Sequence, residues 1–341
     1  MTRAGAAMPI RLIGVKGRTA IPSQSRFIPP GSRCNVTTDL LPPLGDASDP
    51  RSAGEFGSNG RRRLAGIADI VVHVDGSDED EPRLAWAESI AVAADAHVTA
   101  FMTNEVPISP LLLHPGGEFV LAEIWKQARK TGDQVEVQLT TRMTLLEPLN
   151  SLRRSDGRMV DLCTLAARQA RACDLFVASR PYGAERNWPA LVETVLFEGT
   201  APILLVPPGN REPANVPRTV LLGWQDTREC SRAIMASMPF LRAAENVHLV
   251  AVAEDGSEEE YRRDPMADTG RYLARHGVRL ELRRVPHWAH YGEGLLTEAK
   301  ALDADMVVAG AYGHSRIRER ILGGATLDLL TQAEVPVLMC H

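Results

Sequence analysis

The sequence predicts an α/β protein made of two tandem domains, each a doubly wound, five-stranded parallel sheet. Short apolar runs rich in Val, Ile and Leu alternate with helical stretches along most of the chain. Parallel strands need connections long enough to hold a helix, so this alternation predicts parallel pairing with right-handed crossovers. The order β-α-β-α-β-α-β-α-β occurs twice, which indicates a duplicated domain in which each copy can bury a core.

The first copy is predicted over residues 67–208. Its predicted strands are Asp69–Val74, His97–Met102, Ser151–Arg154, Asp174–Ala178 and Pro202–Val206. Its predicted helices are Glu81–Ala94, a long stretch over 118–146, Val160–Ala172 and Ala190–Phe197. Periods of about two and 3.6 residues in the apolar pattern distinguish the two kinds of element.

The second copy is predicted over residues 218–341, after a linker at 209–217 that opens with Pro and Gly. Its predicted strands are Thr219–Trp224, Val247–Val252, Val278–Val285, Asp305–Ala309 and Val335–Cys340. Its predicted helices are Arg228–Leu241, Glu258–His276, Tyr291–Leu302 and Ala325–Ala333.

Residues 1–66 differ from both copies and are predicted to be a disordered tail. They are rich in Pro, Gly, Ser and Arg and show no sustained periodicity, so they cannot bury enough apolar surface to fold. The basic residues before Asp39 are typical of an organelle transit peptide, but prolines interrupt any targeting helix. A solvated tail or an upstream start codon is the preferred interpretation.

Composition limits the classes of partner. The chain is 44% hydrophobic with a net charge of −5 and mixed signs, which argues against a nucleic-acid partner. No apolar run approaches the roughly 20 residues that cross a bilayer, so no membrane partner is expected. Five scattered cysteines form no C-x-x-C pair and indicate free thiols in the cytoplasm. They are Cys34, Cys163, Cys173, Cys230 and Cys340.

The last 37 residues carry the most specific pattern. The predicted strand that ends at Ala309 is followed by Gly310 and Gly313 and, after nine intervening residues, by Gly323 and Gly324, which precede a helix. Glycines between a strand and a helix allow backbone N–H groups to surround an anion, and the helix N-terminus adds partial positive charge. The alternative is that these glycines only permit tight connections.

The spacing Gly-x2-Gly-x9-Gly, the closing V-P-V-L and the run V-H-V-D-G-S at 72–77 resemble the universal stress protein family. The resemblance covers about 275 residues from Ile67 to His341. It implies a Rossmann-like fold of the adenine nucleotide alpha hydrolase type, with strand order 3-2-1-4-5 and a ligand crevice between strands one and four. Relatives dimerise through the last strand, which implies an intramolecular pseudo-dimer, pairing Pro202–Val206 with Val335–Cys340, or a homodimer.

The resemblance also assigns candidate cofactor-binding residues for an adenine nucleotide, with ATP as the candidate cofactor. In the second copy they are Gly310, Gly313, His314, Ser315, Gly323, Gly324, Thr326 and Gln225. Gly324 stands where nucleotide-binding relatives carry Ser or Thr, and Gln225 stands where they carry Asp. The first copy keeps that aspartate as Asp75 but lacks the glycine loop. The alternative role of Asp75 is to cap the following helix. His314 and the basic residues that follow it could contact phosphates, and the alternative is that they form a solvated surface.

No catalytic residue is predicted. The chain lacks a P-loop and a G-x-S-x-G elbow. His287, His290 and Glu293 have a spacing compatible with a metal, but a polar cluster at a helix N-terminus is the preferred interpretation, so no metal site is predicted.

The predicted function is a stress-response protein that binds a ligand or an unknown protein partner without turnover, its two nucleotide sites each incomplete. The alternative is an ATP-binding switch that uses the glycine loop of the second copy, with slow hydrolysis.

The tail should be dispensable for folding. A chain truncated to begin near Leu64 should keep its melting temperature and its circular dichroism spectrum, because the tail's composition cannot offset an ordering entropy of about 1–2 kcal/mol per residue. A large drop in melting temperature on truncation would contradict this expectation.

Overall fold

We describe the protein from a computed structural model. The described residues are 64–107, 118–183, 188–209, 213, 216–252, 265–286, 288, 290–311 and 324–341. Residues 1–63 of the predicted disordered tail lie outside them, as does most of the predicted linker. The predicted boundary at residue 66 is wrong, because Leu64 is buried in the apolar core and its N–H donates to the Ala93 carbonyl oxygen at 3.0 Å. The described residues form one compact unit.

Ten strands form one sheet. They are β1 (Asp69–Val74), β2 (His97–Glu105), β3 (Asn150–Gly157), β4 (Leu175–Ser179), β5 (Ile203–Val206), β6 (Thr219–Gly223), β7 (Asn246–Val252), β8 (Leu280–Val285), β9 (Met306–Gly310) and β10 (Val337–Cys340). Their order in the sheet is β3-β2-β1-β4-β5-β10-β9-β6-β7-β8. Each half thus has the order 3-2-1-4-5 that the resemblance implies.

Eight helices connect the described strands. They are α1 (Asp80–Ala94), α2 (Glu118–Met143), α3 (Met159–Gln169), α4 (Pro189–Glu198), α5 (Arg228–Ala243), α6 (Pro265–Arg275), α7 (Tyr291–Ala301) and α8 (Gly324–Gln332). The first part of the predicted helix Glu258–His276, residues 258–264, lies outside the described residues, and α6 is described from Pro265. No helix among the described residues is long and apolar enough to cross a membrane.

The helices cover both faces of the sheet, and the apolar core divides by face. One buried cluster lies under α1, α2, α5 and α6, and the other under α3, α4, α7 and α8. Alternate residues of each strand enter opposite clusters, because successive side chains of a strand point to opposite faces. Each cluster contains residues from both halves, so the two repeats share their core.

The strand β3 is longer than the predicted Ser151–Arg154. The prediction is too short because polar side chains dominate this strand and leave little apolar pattern to mark its ends. It lies at one edge of the sheet, where Arg154 contacts Asp133 and Glu136 of α2 and Asp156 on its own strand. These ion pairs stabilise an edge strand whose sequence carries little apolar periodicity.

The halves meet at β5 and β10, which pair antiparallel with Val337 opposite Leu205 and Met339 opposite Ile203. On its other side β10 pairs parallel with β9. All four residues of β5 and of β10 are buried. This pairing is the internal contact that the sequence predicts, and it leaves neither final strand as an exposed edge.

The junction strand should not tolerate proline. Because β10 is paired on both sides, Val337→Pro removes a ladder hydrogen bond and should destabilise the chain by about 3 kcal/mol or more in urea unfolding. Val337→Ala is the matched control, since it removes apolar contacts but keeps the N–H. Equal stability of the proline and alanine variants would contradict pairing on both sides.

Candidate ligand-binding crevices

Two crevices are defined by the strand order. In open parallel sheets a ligand binds beyond the carboxyl ends of the strands where the order reverses. Here these places lie beyond β1 and β4 in the first repeat and beyond β6 and β9 in the second. The loops that follow these four strands therefore build the candidate sites.

The sheet register allows the two crevices to be compared residue by residue. Ile70 pairs with Leu175 in the first repeat, and Val220 pairs with Met306 in the second. With Val220 matched to Ile70, the residues His73, Asp75, Asp80 and Arg83 correspond to Gly223, Gln225, Cys230 and Ala233. The loop geometry agrees, because the Asp75 N–H donates to Asp80 Oδ1 and the Gln225 N–H donates to Cys230 Sγ.

Asp75 is fully engaged by its own chain. Its Oδ1 accepts hydrogen bonds from Ser77 Oγ at 2.6 Å and from Arg83 Nη2 at 2.8 Å, and its Oδ2 accepts one from Trp188 Nε1 at 2.7 Å. The side chain is 5% exposed. Asp75 accepts no N–H of α1, so the capping role considered for it from the sequence is wrong.

The carboxylate that organises the β1–α1 loop is Asp80, in the first turn of α1. Its two oxygens accept the N–H groups of Asp75 at 3.0 Å and Gly76 at 2.7 Å. Arg83 also contacts Asp80, so one guanidinium lies between two carboxylates. Arg83 is 2% exposed and its charge is met by these partners.

His73 extends this network into the sheet. Arg83 Nη1 donates to His73 Nδ1 at 2.9 Å, which places the ring proton on Nε2, the nitrogen that lies 2.7 Å from Thr103 Oγ1. Both burial and the neighbouring Arg83 charge lower the pKa of His73 to about 3. The imidazole is therefore neutral at physiological pH.

The pKa values of Asp75 and Asp80 are shifted in opposite directions. Burial raises the pKa of Asp80 to about 6, against the attraction of Arg83. Burial would also raise the pKa of Asp75, but Arg83 and the hydrogen bonds from Ser77 and Trp188 hold it below its usual range. Asp75 is thus an ionised, buried carboxylate with every contact supplied internally.

Trp188 closes the first crevice. It immediately precedes α4, and its ring lies edge-on to the His73 ring at a centroid distance of 5.2 Å while its N–H donates to Asp75. Trp188 is 9% exposed. The crevice of the first repeat is therefore filled by the chain's own side chains, and Asp75 has no position left for a ligand.

The second crevice holds smaller groups at the same positions. Gly223, Cys230 and Ala233 replace His73, Asp80 and Arg83, so neither the buried ion pairs nor the imidazole is present. Thr227 caps α5 by accepting the Cys230 N–H at 3.2 Å. Gln225 is half-buried at the position of Asp75.

Trp224 does not face this crevice. Its ring N–H donates to Thr269 of α6 at 3.1 Å, and the side chain packs on the apolar cluster beneath that helix. The packing interpretation of this residue therefore holds over base stacking.

Gly310 is required by close packing. A Cβ at Gly310 would lie 2.5 Å from the Cys230 backbone nitrogen, so the glycine allows the start of α5 to approach the end of β9. The backbone φ of Gly310 is outside the left-handed region, so a turn conformation does not explain it. The same contact places the N-terminal turn of α5 beside the second crevice.

The remaining predicted site residues are only partly described. Gly324 begins α8, and a Cβ there would meet His290 Nδ1 at 3.6 Å, an ordinary contact. Thr326 is buried in the first turn of the same helix. Gly313, His314, Ser315 and Gly323 lie outside the described residues.

The described residues contain no group of three His, Cys, Asp or Glu side chains that could hold a metal. His287 lies outside them. Cys163, Cys173, Cys230 and Cys340 are free. Burial raises the pKa of the Cys173 and Cys340 thiols to about 12, which leaves them unreactive as nucleophiles at neutral pH.

Acid should destabilise the chain through His73. In the unfolded chain His73 takes up a proton as the pH falls below about 6.5, whereas in the folded chain it stays neutral down to about pH 3. The free energy of unfolding that is present above pH 6.5 should therefore fall below that pH by up to about 1.4 kcal/mol per pH unit. Asp80 opposes part of this loss between about pH 6 and 4, since its raised pKa makes the folded state the stronger proton binder.

Urea unfolding at pH 7 and pH 5 checks this expectation. His73→Gln should lose less stability between the two values than the parent chain. It should not abolish the loss, because burial also lowers the pKa of His248 on β7. An unchanged difference between pH 7 and pH 5 in His73→Gln would contradict a buried neutral imidazole.

Comparison with known proteins supports the fold and the family. Residues 232–341 match the universal stress protein family. A universal stress protein from Archaeoglobus fulgidus DSM 4304 superposes with a TM-score of 0.60 at 12% identity, over 80% of this chain and 97% of that one. A protein of unknown function from Pseudomonas aeruginosa PAO1 superposes with a TM-score of 0.51 at 15% identity, over 81% and 92%.

These structural likenesses, at such low identity, establish the fold alone. No curated protein matches the chain. The sequence match to the universal stress protein family begins within α5 and is confined to residues 232–341, which include the glycine loop of the second repeat.

Proposed function

We propose that this chain acts in stress adaptation by binding a ligand or a protein partner without turnover, and that the second repeat provides the ligand crevice. The match of residues 232–341 to the universal stress protein family supports the general role. The choice of repeat rests on the difference between the two crevices.

The observation that carries this proposal is the asymmetry at equivalent positions. In the first repeat Ser77, Arg83 and Trp188 donate hydrogen bonds to Asp75 and saturate it. In the second repeat the positions of Arg83 and His73 hold Ala233 and Gly223, and Gln225 replaces the saturated carboxylate. A ligand that approaches the second crevice meets neither the buried ion pairs nor the indole that fill the first.

The chemistry of the second crevice suits an anionic ligand such as an adenine nucleotide. Two helix N-termini, those of α5 and α8, belong to the loops that border it, and each adds partial positive charge. Gly324, at the start of α8, offers a backbone without a side chain. The binding would be weak, because Gly324 supplies no hydroxyl and Gln225 supplies no carboxylate.

Two side chains at the described β6–α5 connection, those of Thr227 and Cys230, have structural partners, which supports binding without turnover. The Thr227 hydroxyl caps α5, and Cys230 Sγ lies 3.5 Å from the Gly223 carbonyl oxygen and accepts the Gln225 N–H. Burial raises the pKa of the Cys230 thiol. Neither group is thereby activated as a nucleophile.

Titration with Mg-ATP by calorimetry tests the proposal, with phosphate release measured in parallel. We expect binding no tighter than micromolar, and no phosphate release. A hydrogen bond to a charged group contributes about 1.5–3 kcal/mol, so restoring two of them by Gln225→Asp with Gly324→Ser should tighten binding by about a hundredfold or more. The space around Gly324 accepts a serine side chain without a clash.

The matched control is Pro189→Ser, because Pro189 begins α4 as Gly324 begins α8. Trp188 fills the crevice next to Pro189, so the Pro189→Ser variant should not gain affinity for Mg-ATP. Submicromolar binding by the parent chain would contradict the expected weak binding, and an equal gain in affinity from Pro189→Ser would contradict confinement of the site to the second repeat. Steady phosphate release would favour the ATP-switch alternative.

A further inference from the structure

Trp188 has a backbone conformation that its residue type disfavours. Its φ and ψ are 52° and 51°, in the left-handed region. The other described non-glycine residues with positive φ are Asp95 and Asp303, whose short polar side chains tolerate this region. A tryptophan persists there only when its surroundings hold it.

The second repeat has a glycine at the corresponding place in the sequence. Trp188 immediately precedes α4, and Gly323 immediately precedes α8. Glycine adopts positive φ without steric cost, whereas Trp188 adopts it against the preference of a bulky side chain. The contacts of the indole must therefore offset the backbone strain.

The contacts of the Trp188 indole resemble those that a bound ligand makes with its site. The indole N–H donates to Asp75 Oδ2 at 2.7 Å, and the ring lies at 74° to the His73 ring. The other face of the site is apolar, since Trp188 belongs to the buried cluster under α3 and α4. Asp75 Oδ1 is already used by Ser77 and Arg83, so Oδ2 serves the indole.

We propose that the first crevice is a binding site for a planar heteroaromatic group with an N–H donor, and that Trp188 is that ligand supplied by the chain itself. A planar ring fits between the His73 ring and the apolar cluster, and its N–H donates a hydrogen bond to Asp75 Oδ2. While Trp188 is in place, ligands of this class in solution are excluded. This proposal concerns the first repeat and does not depend on a ligand in the second.

The test is chemical rescue of Trp188→Gly, which empties the site and suits the left-handed backbone. Indole and indene are the probes, because they share a shape and only indole carries an N–H. The folded variant should bind indole, with a rise in melting temperature, about tenfold or more tightly than indene, since the carboxylate gains a charged hydrogen bond from indole alone. Neither probe should raise the melting temperature of the parent chain.

Trp86→Ala is the matched control in the same repeat. Trp86 is 5% exposed, and its Nε1 has no hydrogen-bond partner in the described part of the chain. Its cavity should therefore show no preference between indole and indene. Absence of binding to folded Trp188→Gly, equal affinity for the two probes, or binding of indole by the parent chain as tightly as by the variant would overturn the proposal.

A measurement on the parent chain covers the case in which Trp188→Gly does not fold. The indole N–H of Trp188 can be assigned by NMR as the ¹⁵N-indole signal missing from Trp188→Phe. Slow hydrogen exchange of this signal at neutral pH is expected for a buried donor bound to Asp75. Exchange as fast as that of an exposed indole would show that the ring does not occupy the crevice.

Discussion

The antiparallel pairing of β5 with β10 is the contact on which the rest of the structure depends. It joins two five-stranded halves into one ten-stranded sheet, and because a sheet has two faces, each apolar cluster runs through both halves. Leu204 and Leu338 pair across the junction and belong to one cluster, while Ile203 and Met339 pair and belong to the other. Neither repeat buries its final strand without the other.

The same pairing leaves the two crevices free to differ. Each lies beyond the carboxyl ends of its own strands, and neither takes part in the β5–β10 ladder. The first repeat has filled its crevice with a charged network and an indole, and the second has kept small residues. A duplicated fold thus holds two sites of different chemistry on one continuous core.

Much of the fold follows from the sequence, because helix and strand periods are local properties. The bounds of β1 agree with the prediction, and those of most other elements agree within two residues. The network of Arg83, His73 and Asp75 was not predicted, since it joins a strand and a helix through polar side chains without a spacing motif. Trp188 was missed for a related reason. The segment from Ser179 to Trp188 is shorter than the segment from Gly310 to Gly323, which hides the correspondence of Trp188 with a glycine until helix starts are compared.

The charges in the first crevice explain why it can be filled with polar groups and remain stable. A buried ion is tolerated only when all its partners are present, and removing one partner is strongly destabilising. Arg83 meets two carboxylates and an imidazole nitrogen, and Asp75 receives its last hydrogen bond from Trp188. The indole therefore has two roles, since it excludes water from the crevice and completes the shell of a buried anion. At the described position in the second crevice that corresponds to Asp75, Gln225 is uncharged, so it requires no internal ligand to complete the shell of a buried anion.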